Sequence, residues 1–99
     1  MREDLIELVK AKINDCISCM SNSKEKALRY DIYTGIEEIK KGILDELASI
    51  DKMYYRIELE CLVNKLFDIS DKAKNLSMKT ALLAYGKDLE SFLITNLNC

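Results

Sequence analysis

Two cysteines three positions apart, Cys16 and Cys19, form the one short motif in the chain with recognisable chemistry. Thiolates at this spacing chelate zinc or copper or close a redox disulfide, and the neighbouring Met20 offers a third soft ligand. A structural zinc site calls for a second close pair, whereas Cys61 and Cys99 stand apart from the motif and from each other. Cys16 also falls on an apolar helical stripe, where cysteine packs as a small hydrophobe. A thiol-based metal or redox sensor is thus an alternative reading, beside the simpler one of packed thiols with no metal.

Carboxylates are the other candidates for chemistry: Glu58 with Glu60, Asp68 with Asp71, and Asp88 with Glu90. Side chains two apart on a helix point about 200° away from each other, so Glu58 and Glu60 cannot share a substrate; these acids read as solvated helix faces. Glu46 differs, because its phase sets it at the edge of an apolar seam, where a carboxylate needs a Lys or Arg partner or acquires a raised pKa. Histidine is absent, which removes the commonest general base and every Ser-His, Cys-His and HExxH arrangement. No glycine-rich phosphate loop is present either. The expectation is a non-enzymatic protein with no catalytic residues and no cofactor.

The elements that would carry these groups follow from composition and period. Ninety-nine residues, 48% of them hydrophobic and 32% charged, suit one domain spanning residues 1–99 with a single core. Fifteen basic against seventeen acidic residues, with signs alternating in short clusters, give a net charge of −2 and argue against a nucleic-acid surface. Lys24, Lys26 and Arg29 are the one basic group on which a nucleic-acid-binding regulator could rest. The acidic start at Glu3 and Asp4 and the lack of a long apolar run predict neither export nor membrane insertion, hence a cytoplasmic protein with reduced thiols.

With no proline and three glycines, the chain reads as helices. The first is expected from about Arg2 to Met20, with Ile6, Val9, Ile13, Cys16 and Met20 on one face. Asn22 and Glu25 resemble a capping arrangement opening the second, which carries Leu28, Ile32, Ile36, Ile39, Ile43, Leu47 and Ile50. That phase runs unbroken through Gly35, although a kink there stays open. Gly35, Gly42 and Ser49, seven apart, flank the seam and could admit a close neighbour. Asp51 caps a third helix to about Lys74 with Tyr55, Leu59, Leu62, Leu66, Ile69 and Ala73. Ser77 caps a fourth, with Met78, Leu82, Tyr85, Leu89 and Phe92, ending near Leu97. Short connections return each helix beside its predecessor, so the fold class is all-α: an antiparallel four-helix bundle with the second helix longest.

Apolar residues left off these stripes suggest function. Leu5, Leu8 and Cys19 on the first helix, Tyr54, Ile57 and Cys61 on the third, and Leu83 and Ile94 on the fourth exceed what one core requires. Tyr33, Tyr54, Ile57, Leu83 and Ile94 are the candidate partner-binding residues. Length and bundle-like pattern resemble those of bacteriocin immunity proteins, small intracellular four-helix proteins that act by binding partners; the resemblance covers overall shape and carries no motif. The expected function is protein-protein interaction by a small regulator, inhibitor, adaptor or immunity-type protein of phage, viral or plasmid kind. A homodimer is expected, paired about a two-fold axis through the second or third helix.

Overall fold

A computed structural model describes residues 3–98; the expected helix start at Arg2 and the thiol of Cys99 lie outside them. Four helices follow one another as α1 (Glu3–Asp15), α2 (Asn22–Asp45), α3 (Lys52–Lys72) and α4 (Leu76–Asn96). They build an all-α antiparallel bundle with α2 the longest at 24 residues, or about 36 Å at 1.5 Å per residue. α2 passes through Gly35 as one continuous helix. Among the described residues no helix is long and apolar enough to cross a membrane.

Helix ends depart from the periodic pattern, for local hydrogen-bonding reasons. α1 stops at Asp15, not Met20, because Cys16 N–H bonds the Ile13 carbonyl at 3.0 Å and Ile17 N–H that of Asn14 at 3.3 Å. This tightened turn breaks the helical phase, so Cys16 stays buried while Met20 is 74% exposed. α2 is entered from Ser21, whose side chain makes no capping bond; the Asn22 and Glu25 capping arrangement does not form. α2 also ends before Leu47 and Ile50, which still pack on the core from the following turn. Asp51 caps α3 as expected, accepting the Tyr54 N–H at 3.1 Å. The cap of α4 is Asn75, not Ser77: its Oδ1 accepts the Met78 N–H at 3.0 Å, the geometry that satisfies an otherwise orphaned donor.

The core draws on all four stripes, with Ile13, Ile32, Ile39, Ile43, Leu59, Leu62, Leu66, Met78, Leu82 and Leu89 fully buried. α1 lies along α2 and α3, and α4 lies along α3 and α2, so α2 and α3 occupy one diagonal. The expectation that every helix lies beside its predecessor therefore holds within the hairpins α1–α2 and α3–α4, while residues 46–51 cross between them. Hairpin meets hairpin with parallel helices. Lys10 of α1 pairs with Glu58 of α3 at 3.4 Å, and Lys40 of α2 with Asp88 of α4 at 2.6 Å.

Each hairpin is closed at a glycine. A Cβ on Gly35 would stand 2.5 Å from Val9 Cγ2, and one on Gly86 would stand 2.5 Å from Phe67 Cε1. Of the small residues expected to admit a neighbour, Gly35 does so within the chain, whereas Ser49 is exposed beyond the end of α2. Val9 is buried and β-branched, so it has little freedom to move aside. Gly35→Ala should therefore destabilise the fold by about 1–3 kcal/mol despite alanine's better helix propensity. Adding Val9→Ala should make the double variant less unstable than the two single losses summed, measured by urea denaturation; strict additivity would contradict the contact.

Candidate functional site

The thiols sit where α1 gives way to its last turn. Cys16 is fully buried, with Sγ 3.5 Å from the Lys12 carbonyl. Cys19, expected on an outer face, is also buried at 5% exposure because the tightened turn carries it inward, its Sγ 3.8 Å from the Ser21 carbonyl. Cys19 and Met20 share an open cleft of about 610 Å³ with Lys12, Asp15, Lys24 and Leu28. Burial pushes the Cys16 thiol up to about 12, and the neighbouring Cys19, Asp15 and Glu25 add to the shift. Cys16 is therefore a neutral thiol, poorly suited to nucleophilic or redox work at neutral pH. Among the described residues no group of three or more Cys, His, Asp or Glu is placed to hold a metal ion.

Beside the thiols lies a polar cluster that sequence reading misses. The carboxylate expected at the apolar seam is Glu46, but the chain leaves helical geometry after Asp45 and Glu46 is exposed. Glu25 is the buried acid instead, at 4% exposure, with its carboxylate 3.1 Å from Arg29 one turn on. Arg29 Nε is buried without a hydrogen-bond partner, and the Tyr85 hydroxyl donates to the Arg29 carbonyl at 3.5 Å. The i,i+4 spacing of Glu25 and Arg29 was the available signal. Arg29 is thus tied to Glu25, whereas Lys24 and Lys26 make no ion pair among the described residues.

The carboxylate pairs do not converge. Glu58 turns to Lys10, Glu60 to Arg56 at 3.1 Å, Asp68 to Lys72 at 3.1 Å and Asp88 to Lys40. Burial would lower the Lys40 pKa, yet the hydrogen bonds that Lys40 donates to Asp88 and Glu37 outweigh it and raise the value, so Lys40 keeps its charge beside Phe92.

The five expected partner-binding residues divide among three faces. Tyr33 lies against Tyr85 between α2 and α4, with ring centroids 5.9 Å apart. Tyr54 sits edge-on to Tyr55 at 5.0 Å, near Glu3 on the α1 side of α3. Ile57, Leu83 and Ile94 share the outer face of the α3–α4 hairpin. There Phe67 meets Gly86, and the Ser70 hydroxyl donates to the Lys79 carbonyl at 2.9 Å. That register sets Leu83 beside Phe67 and Asp68, with which it lines a shallow cleft, and brings Ile57 level with Ile94. Ile57 is 53% and Ile94 59% exposed. Lys79 Nζ completes the clasp by donating to the Asp71 carbonyl at 2.8 Å and the Ser70 carbonyl at 3.3 Å, where a cation suits the C-terminus of α3.

Fold and surface together define a small four-helix bundle whose α3–α4 hairpin exposes apolar residues on its outer face. No protein-family model, curated protein or solved structure matches the chain.

The thiol's environment has a consequence in pH. A group raised from 9.0 in the open chain to about 12 when folded contributes stability fully below pH 9 and loses it as pH climbs toward 12. Urea midpoints should therefore fall across that range, and Cys16→Ala should flatten the fall. Tyr54, Tyr55 and Tyr85, raised chiefly by burial, and Lys10 and Lys40, raised against burial by their acidic partners, contribute to the slope that remains. An identical slope in the variant would contradict a buried, protonated Cys16.

Proposed function

We propose that this chain is a non-enzymatic, cytoplasmic helical protein that works by protein-protein contact, as a regulator, inhibitor, adaptor or immunity-type factor, and that it associates as a homodimer. The observation carrying this reading is the outer face of the α3–α4 hairpin, where Leu83 stands exposed towards one end and Ile57 and Ile94 towards the other. Burying such branched side chains in a contact gains roughly 1.5–3 kcal/mol each, whereas in the free chain they face water. The acids and thiols support no rival reading of comparable weight. Glu58, Glu60, Asp68 and Asp88 are each engaged in an ion pair of their own, and the most buried thiol is held neutral.

Affinity capture from the native host tests this directly. A specifically retained protein should be lost when Ile57→Glu and Leu83→Glu are introduced together, with binding weakened at least about tenfold as for central interface residues. Tyr33→Ala should leave it in place. Retention unaffected by the α3–α4 variant would move the contact to another face and overturn the assignment to this hairpin.

A further inference from the structure

We propose that the outward side of α4 is a self-pairing seam, occupied by a second copy of this chain whose α4 runs antiparallel across it about a two-fold axis between Lys87 and Glu90. This rests on the dimeric, protein-contact reading above and names the contact; it places the axis on the fourth helix, not the second or third. Leu83, Lys87, Glu90 and Ile94 recur at steps of four, three and four, which aligns them in one stripe along the helix. All four are exposed, and Leu83 and Ile94 are respectively 41% and 59% open to solvent.

The order along that stripe is apolar, basic, acidic, apolar. Reversed on a second copy, it sets each Leu83 against the other copy's Ile94 and each Lys87 against the other copy's Glu90. Every position meets its complement. A parallel pairing would instead bring Lys87 to Lys87 and Glu90 to Glu90, which like-charge repulsion opposes. Lys87 and Glu90 make no ion pair among the described residues, although the exposed acids Glu60, Asp68 and Asp88 all do.

Space favours the same arrangement. Ala84 and Ser91, small, exposed and seven apart, flank the stripe on one side, so no bulky side chain there holds the two α4 backbones apart. Ile57, level with Ile94 on α3, widens the apolar end of the contact. The patch is the same on both copies and the contact closes on itself, which yields a dimer and not a filament.

Sedimentation velocity of the full chain over a wide concentration range, with circular dichroism to confirm helicity, tests the seam by charge exchange. Lys87→Glu and Glu90→Lys should each weaken the dimer at least about tenfold, because like charges then meet twice in each dimer. Together they should restore it to within about threefold of the wild type, since the complementarity is only reversed. Lys41→Glu, on the exposed side of α2, should change nothing. A wild-type dimer indifferent to the single exchanges, or not rescued by the double one, overturns the α4 seam and leaves the dimer itself standing. A wild-type chain that stays monomeric throughout overturns the seam and the homodimer together.

Discussion

Close approach at two glycines governs how the rest of this bundle fits. Gly35 lets Val9 into the backbone of α2, and Gly86 lets the Phe67 ring against α4, at separations that any Cβ would violate. Those contacts set the spacing inside each hairpin, and with it the depth to which the aliphatic stripes interdigitate. Helix propensity alone would place alanine at both positions. The packed neighbours explain why glycine is tolerated in mid-helix, and they act on each hairpin independently.

The two hairpins are then joined by burial and by ion pairs at the seams between them. Lys10 with Glu58 and Lys40 with Asp88 tie α1 to α3 and α2 to α4, but partly exposed pairs of this kind contribute little beyond register. The common core of Ile, Leu and Met side chains carries the association. Because the hairpins pack through their inner faces, the outer side of α3–α4 keeps its own apolar residues and charges, and the functional proposals rest on that side.

Much of this architecture was legible in the chain. Strict three and four steps from Tyr55 to Ala73 and from Met78 to Phe92 marked two buried stripes, and Asp51 announced the start of α3. Helix ends were less legible, because period says which face is buried and nothing about where hydrogen bonding stops. Extending the phase of α1 to Met20 and that of α2 to Glu46 therefore misplaced both residues. Asn75 outcompeted Ser77 as a cap because it stands three residues before a free donor, Met78 N–H. For the candidate site, Ile57, Leu83 and Ile94 were readable singly as residues off the main stripes. Their shared face depends on hairpin register, which needs the Phe67 and Gly86 contact. Tyr33 and Tyr54 looked equally suitable because composition does not reveal that helix position sends them to other sides.

Nuclear Overhauser spectroscopy of the folded protein tests the glycine closures most directly. Strong cross-peaks are expected from the Gly35 α-protons to a Val9 methyl group and from the Gly86 α-protons to the Phe67 ring. Resolved glycine signals lacking either cross-peak would contradict the hairpin geometry on which the core, the register and the outer face depend.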